Sequence, residues 1–287
     1  MIKCENRLAI LMSCYNGNDY IEAQIASIIN QTYRDWILYI RDDGSSDNTL
    51  DIIKRYCEKD RRIRLYTDNL GNLRTRDSFL TLLENIDADF YSFADQDDIW
   101  LSNKLMEAIT TLSGVEEPAL FTSNVTIVNQ KGDIITQDYW KHVGLDPKVR
   151  FRFKELVVNP SIIGMTMVFN KVCRNYIFPY NGLNLLHDSW ISINIAQHGK
   201  VIYSNKPSVL YRQHDQNVCG LQFVKYKKQS LYGKLKQIYD NNRRKYATAH
   251  KVFGIGFVEY IYIKSNIVIN TYLQKIKFNN NGNSVTD

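Results

Sequence analysis

Three carboxylates fall within four residues in the stretch Phe93-Ala94-Asp95-Gln96-Asp97-Asp98-Ile99-Trp100. They follow the apolar run Phe90 to Ala94, which reads as a buried strand, so the acids stand at its C-terminal end. Carboxylates crowded in such a place repel each other and lose solvation unless a cation or hydrogen-bond donors compensate. A hard divalent ion held by one or two carboxylates and phosphate oxygens suits the grouping. A solvated acidic turn would carry the same residues, so the motif gains meaning only from its company. That company includes Asp43 in Asp42-Asp43-Gly44-Ser45, Asp188 in His187-Asp188-Ser189-Trp190, and His214 in Tyr211-Arg212-Gln213-His214.

The elements that must position these residues alternate over the first hundred positions. Leu8 to Met12 reads as a buried strand. Asp19 to Asn30 reads as a helix with Ile21, Ile25, Ile28 and Ile29 on one face. Trp36 to Ile40, Ile63 to Tyr66 and Asp89 to Ala94 read as further strands. Asp47 to Cys57, with Ser46 or Asp47 as cap, and Arg76 to Asn85 read as the helices between them. Repeated β-α-β units predict an α/β fold with a mainly parallel sheet covered by helices. Ligands bind such sheets beyond the C-terminal strand ends. The loops Cys14 to Gly17, Asp42 to Ser45 and Asp95 to Asp98 all fall there. Further on, Ala119 to Val128, Gly164 to Phe169, Val201 to Tyr203 and Val209 to Arg212 read as strands, and Asp188 to Gln197 as a helix stopped by Gly199.

Composition sets limits. The chain has 287 residues, 44% hydrophobic and 23% charged, as in ordinary globular proteins. A net charge of +6 does not call for nucleic acid. The five cysteines are widely spaced with no Cys-x-x-Cys pair, which argues against a disulfide framework or zinc cluster and for a reducing compartment. Leu8 to Met12 reads as a core strand and not as a signal peptide. The most apolar long stretch, Val252 to Leu273, is interrupted by Glu259, Lys264 and several Asn residues, so no membrane span is expected. From Gln222 onward Lys and Arg residues fall among Tyr, Leu and Ile, which reads as basic amphipathic helices appended to the core. The expected division is residues 1–220 as the main domain, 221–278 as the helical extension and 279–287 as a disordered tail.

The motifs resemble the family 2 glycosyltransferases, inverting enzymes with the GT-A fold. The matching residues are Ser13-Cys14-Tyr15-Asn16-Gly17, Gln31-Thr32-Tyr33, Asp42 to Thr49, Asp95 to Trp100 with Lys104, His187-Asp188-Ser189-Trp190 and Tyr211-Arg212-Gln213-His214. The resemblance runs from about Leu8 to Gly220. The wording of the last three motifs looks most like bacterial rhamnosyltransferase-type members that build O-antigen or capsule.

The resemblance implies a nucleoside-diphosphate sugar donor and a Mg2+ or Mn2+ ion. It places Asp43 on the imino N–H of a uracil or thymine, although an ordinary turn would use the same carboxylate to cap backbone amides. Tyr15 would border the base, with Asn16 letting the backbone approach it, while Gly17 is read as turn chemistry. Glu22 would sit near the same pocket, or serve as a first-turn acid that complements the helix dipole. Asp95 would face the ribose, and Asp97 would bind the metal between the two phosphates. Asp98 would organise the loop or cap a helix, Trp100 would pack, and Lys104 would be a helix-surface cation. Asp188 would be the base that takes the acceptor proton; at a helix start it could also be only a cap. The family's usual Glu-Asp pair is His187-Asp188 here. His214 would complete the metal site, and Arg212 would contact a phosphate.

The chain lacks the Gln-x-x-Arg-Trp motif of processive synthases, which favours a single addition per acceptor. The basic extension would rest on anionic lipid near a lipid-linked glycan acceptor, or form a solvated face or oligomer contact. A cytoplasmic enzyme, peripheral on the inner face of the cell membrane, follows from this reading. Two other enzyme classes fit less well. A sugar-phosphate nucleotidyltransferase would need a Gly-rich triphosphate loop that Ser13 to Gly17 does not supply, and a dinucleotide oxidoreductase would need Gly-x-Gly-x-x-Gly. A non-catalytic nucleotide- or glycan-binding protein on the same fold is the remaining alternative.

Overall fold

The computed structural model describes residues 2–3, 7–215, 217 and 231–282. The strands are β1 (Ile2–Lys3), β2 (Leu8–Cys14), β3 (Trp36–Asp42), β4 (Ile63–Leu65), β5 (Ile86–Asp87), β6 (Phe90–Ala94), β7 (Ile99–Trp100), β8 (Ala119–Asn129), β9 (Ile134–Thr136), β10 (Val168–Asn170) and β11 (Lys200–Gln213). The helices are α1 (Ile21–Ile29), α2 (Thr49–Lys59), α3 (Arg74–Asn85), α4 (Lys104–Leu112), α5 (Tyr139–Val143), α6 (Pro147–Arg150), α7 (Phe153–Val158), α8 (Arg174–Ile177), α9 (His187–His198), α10 (Leu231–Phe253) and α11 (Phe257–Gly282).

A nine-stranded sheet runs in the order β4-β3-β2-β6-β10-β8-β11-β7, with β9 beside β8. Its first half is parallel, as the β-α-β pattern requires. The second half is mixed: β10 runs antiparallel to β6 and β8, and β7 antiparallel to β11. The parallel strands are buried on both faces. Leu8, Ile10 and Met12 point into one core with α1, while Ala9 and Leu11 point into the other with α3 and α9. This two-sided burial is why β2 reads as a continuous apolar run. Ile21, Ile25 and Ile28 of α1 are fully buried at helical spacing, each contributing about 1.5–3 kcal/mol.

Three local expectations change. The stretch Gly164 to Phe169 is a 3-10 turn at Gly164–Thr166 followed by the short β10. Val201 to Tyr203 and Val209 to Arg212 belong to one strand, β11. It pairs parallel with β8, with register shifts on both sides of Pro207, which has no N–H to donate to the ladder. Helix α11 continues through Gly282, past the expected start of a disordered tail. Cys14, Cys57 and Cys173 are free. Cys4, Cys219, Lys225, Lys227, Lys228 and the end of the tail lie outside the described residues. Among the described residues no helix is long and apolar enough to cross a membrane.

Candidate active site

The C-terminal ends of β2, β3 and β6 open into a cleft of about 770 Å³, closed on the far side by the start of α9 and the end of β11. Tyr15, Asn16, Asp43, Asp95, Asp97, Asp188 and His214 all line it. Residues separated by up to two hundred positions therefore converge because parallel strands deliver their ends to one edge.

The β2 loop is held by side chains from its neighbours. Gln96 closes a two-way bridge to Tyr15, accepting from its N–H at 2.9 Å and donating to its carbonyl at 3.0 Å. Gly17 packs against that amide so closely that a Cβ would lie 2.3 Å from Gln96 Oε1, so glycine here permits contact between the loops. Asn16 adopts a left-handed φ of 47°. Its side-chain oxygen accepts from Ser46 N at 2.8 Å, and its own N–H donates to Ser45 Oγ at 2.9 Å. Asp47 accepts from Thr49 N at 3.0 Å and from Asn18 N at 3.2 Å. The Asp-Asp-Gly-Ser turn and the Tyr-Asn-Gly turn thus form one hydrogen-bonded unit.

Asp43 is 3% exposed. Its carboxylate accepts from Leu73 N at 2.8 Å, Arg74 N at 2.7 Å and the Arg41 guanidinium. Arg41 also grips Asp68 at 2.7 and 3.0 Å and the Gly71 carbonyl at 2.7 Å. Asp68 raises the Arg41 pKa first, against burial, with Asp43 adding to it. A buried guanidinium shared by two carboxylates is stable because each charge is paired and hydrogen-bonded. Arg41 was not singled out in the sequence, because a basic residue ending an apolar strand carries no motif. Arg74, which lines the cleft with φ 62°, was also missed. Its left-handed conformation at the start of α3 is held by the Asp43 contact to its N–H, and strain of this kind clusters at functional sites.

The acidic motif splits into three roles. Burial, then Asp97 and Asp188, push Asp95 up to about 8. Asp97 accepts from His214 Nε2 at 2.8 Å and from Asn217 Nδ2 at 3.2 Å. His214 stacks on Tyr20 with ring centroids 4.6 Å apart. Asp98 is fully buried and accepts from Arg212 N at 3.0 Å. Burial, then Asp97 and Asp95, push its carboxyl well above the ordinary range. It therefore organises the loop and does not cap a helix.

Asp188 lies in the first turn of α9, accepting from Ser189 N at 2.6 Å. His187 beside it is buried between Phe79, stacked at 4.4 Å, and Phe93, edge-on at 4.9 Å. Burial lowers its pKa against the opposing pull of Asp188, which favours the neutral imidazole. Gly164 closes this corner: a Cβ there would lie 3.1 Å from His187 Nε2 and 3.4 Å from Asp188 Cβ.

Two expected nucleotide contacts and one expected surface residue are placed elsewhere. Glu22 lies on the exposed side of α1 and pairs with Arg55 at 2.6 Å. Arg212 is buried and donates to the carbonyls of Asp97 at 3.0 Å and Gln130 at 2.8 Å. Its guanidinium braces the acidic loop from behind and does not face the cleft. Lys104 is 1% exposed, with Nζ donating to Ser92 Oγ at 3.2 Å and lying 4.0 Å from the Trp100 ring centroid.

The donor set fits a divalent ion of the kind that completes its shell with phosphate oxygens. Among the described residues no three His, Cys, Asp or Glu groups gather as a metal site, but Asp97 and His214 form an oxygen–nitrogen pair beside the carboxyls of Asp95 and Asp98, which burial and their neighbours push upward.

A mixed α/β sheet with an acidic cleft at its strand ends defines a transferase fold of the GT-A type. The profile of the family described as "Glycosyl transferase family 2" matches residues 9–176, and the chain belongs to that family. It is 30% identical over 195 residues to the Escherichia coli "UDP-Glc:alpha-D-GlcNAc-diphosphoundecaprenol beta-1,3-glucosyltransferase WfgD", covering 64% of this chain and 72% of that one. It is 27% identical over 250 residues to the Shigella flexneri "dTDP-rhamnosyl transferase RfbG", covering 77% and 78%. The fold matches the mannosyltransferase PcManGT from Pyrobaculum calidifontis, solved with GDP-Man and Mn2+, with a TM-score of 0.57 at 13% identity, over 98% of this chain and 76% of that one. It also matches S. aureus TarS 1-349, with a TM-score of 0.54 at 16% identity; the match spans 72% of this chain and 60% of that structure.

Proposed function

We propose that the protein is an inverting, metal-assisted glycosyltransferase that moves a sugar from dTDP-rhamnose or a UDP-hexose onto a lipid-linked glycan in O-antigen or capsule synthesis. The observation that carries this reading is the position of Asp188. It lines the same cleft as Asp43, Asp95 and Asp97 and is near enough to help raise the Asp95 carboxyl, which supports a base and a nucleotide site sharing one space. Asp43, Tyr15 and Asn16 would hold the nucleoside, and Arg74 offers a cation at the same wall. Asp95 would accept from the ribose. Asp188 would take the proton of the acceptor hydroxyl as it attacks the anomeric carbon from the face opposite the departing diphosphate. Neutral His187 keeps a second positive charge away from that carboxylate. A divalent ion held by Asp97 and His214 would neutralise charge on the leaving nucleoside diphosphate.

The names of WfgD and RfbG support glucosyl and rhamnosyl donors respectively, and that of WfgD supports an acceptor carried on a diphosphate lipid. Peripheral contact with the inner face of the cell membrane is supported by charge. Residues 221–282 hold twelve Lys and Arg against two acids, a surplus of +10 in a chain whose total is +6. Such a segment is drawn to anionic lipid.

The direct test is nucleoside-diphosphate release from UDP-, dTDP- and GDP-sugars with Mg2+, Mn2+ or EDTA and an extract of lipid-linked acceptors. Release from one donor, abolished by EDTA, supports the reading. Nucleotide binding with no release under any condition would leave a binding protein on the same fold.

A further inference from the structure

Helix α11 packs on α5 and α7, α10 packs on α7, and α7 packs on α9, which carries Asp188. A group of cations sits in this seam. Arg150, at the end of α6, is 7% exposed, and its Nε has no partner. Its side-chain hydrogen bond is a long one, from Nη2 to the Asn159 carbonyl at 3.5 Å. A guanidinium has five donors, and a buried one so poorly satisfied calls for an acceptor. Lys245 Nζ reaches the side chain of the same Asn159 at 3.2 Å. Lys264 Nζ bonds Asn242 Oδ1, and Asn242 lies one turn from Lys245 on α10. None of the three cations forms an ion pair with a described residue; burial lowers the Arg150 pKa, opposed only at longer range by Tyr139 and then Glu155. Lys264 and Arg150 both press the Lys245 pKa down, after burial. The Tyr260 hydroxyl, one turn before Lys264, is buried without a partner and adds a donor.

The outer face of α11 supplies a second observation. Val258, Ile261, Tyr262, Val268, Ile269 and Tyr272 are all exposed. At 100° per residue they form one stripe opposite the face that buries Tyr260, Ile263 and Ile267. Lys264 and Lys275 border the stripe on one side and Lys277 on the other. The one acid of this helix, Glu259, pairs with Lys154. An apolar stripe edged by lysines is the pattern of a helix lying in a lipid interface. A soluble anion would fit the cations but would leave the stripe uncovered.

We propose that Arg150, Lys245 and Lys264 form a binding site for the phosphate or diphosphate headgroup of a membrane lipid whose chains lie along the outer face of α11. The site stands on these contacts alone; that the lipid is the glycan acceptor rests on the transferase reading.

The test uses the full chain in EDTA, which removes the metal that would draw phosphate to Asp97. Flotation is measured with phosphatidylcholine vesicles containing phosphatidic acid, or phosphatidylglycerol at equal surface charge, with pyrophosphate as competitor. The wild type is expected to float with phosphatidic acid and to be displaced by pyrophosphate. Lys245→Gln with Lys264→Gln should weaken that binding by about fivefold per charge, more than binding to phosphatidylglycerol, and Lys245→Arg with Lys264→Arg should retain it. Equal losses on both lipids would mean general surface attraction and overturn the site. Pyrophosphate binding that depends on the two lysines, with no flotation, would overturn the lipid assignment in favour of a soluble anion. A dimer in solution that persists with lipid and prevents flotation would overturn it in favour of a second copy. Donor hydrolysis, measured separately on the same variants with Mn2+ in place of EDTA, should be unchanged. Its absence in every sample, wild type included, would count against the transferase reading and leave the anion site standing.

Discussion

Lys104 offers a quantitative check on the packing beneath the acidic loop. Burial pushes its ammonium from 10.5 to about 7. Below pH 7 both folded and unfolded chains hold the proton, and the folded state carries the full cost of burying the charge. Between pH 7 and 10.5 only the unfolded chain binds the proton, so stability rises with pH through that window. The gap of 3.5 units corresponds to about 5 kcal/mol. Lys104→Met keeps the stem and removes the charge. It loses the bond to Ser92, a cost of about 1 kcal/mol, and Ser92 Oγ keeps its bond to the Met167 carbonyl at 2.9 Å. The variant should therefore be more stable than the wild type at pH 6 by a few kcal/mol. That advantage should shrink by roughly 2.5 kcal/mol by pH 9, because the wild type recovers part of the penalty. Urea unfolding at several pH values measures this, and taking the difference between the two proteins cancels groups that titrate alike in both. A difference that stays flat from pH 6 to 9, or a variant less stable at pH 6, would refute the buried-cation argument.

Other substitutions probe the cleft. Asp188→Asn should lower transfer by about 10²- to 10⁴-fold, as expected for loss of a general base, while calorimetric nucleotide affinity stays near wild type; near-normal turnover would remove Asp188 from that role. Asp97→Ala should abolish the difference between nucleotide binding with Mn2+ and with EDTA, and a preserved difference would place the ion elsewhere. Arg41→Leu should strand the buried charge of Asp43 and leave half-buried Asp68 without its ion pair, costing about 3–5 kcal/mol in thermal or urea unfolding; a small loss would show that solvent reaches Asp43. Gly199→Ala should destabilise by about 1–3 kcal/mol, because its Cβ would lie 1.9 Å from the Pro118 carbonyl oxygen; an unchanged melting temperature would mean that the β8 entry loop yields.

The parallel half of the fold was legible because burial on both sheet faces leaves uninterrupted apolar runs, and the helices between them show a single apolar face. The mixed half was not. Strand β10 has three residues, too few for a period, and β11 hides a register shift that only Pro207 hints at. The cleft residues were legible where chemistry concentrates in short motifs, as at Asp43, Asp95 to Asp97 and Asp188. The residues that support them were not. Arg41, Arg74 and Lys104 act through burial, a left-handed backbone and long-range partners, none of which has a local signature. Arg212 sits inside a recognisable motif, yet its guanidinium turns away from the cleft to hold two carbonyls.

The C-terminal helices show why charge alone misdirects a reading of this kind. Their lysines and arginines suggest a solvated or lipid-facing basic surface, and the sequence gives no way to see that Lys245 shares Asn159 with Arg150, which lies ninety-five residues before it in the chain. Nor is the apolar stripe of α11 visible as amphipathicity. A helix with one apolar face in the core and another toward the outside has no polar side to contrast with either, so its periodicity cancels. Large apolar residues on all sides of a helix normally mean full burial. Here most of them are exposed, and contiguous apolar exposure on that scale marks a surface that is covered in use. Because α11 rests on α7, and α7 on the helix that carries Asp188, whatever covers the stripe is held at a fixed offset from the cleft. An acceptor anchored there by its lipid would present its sugar to the cleft from one direction, without needing a closed acceptor pocket.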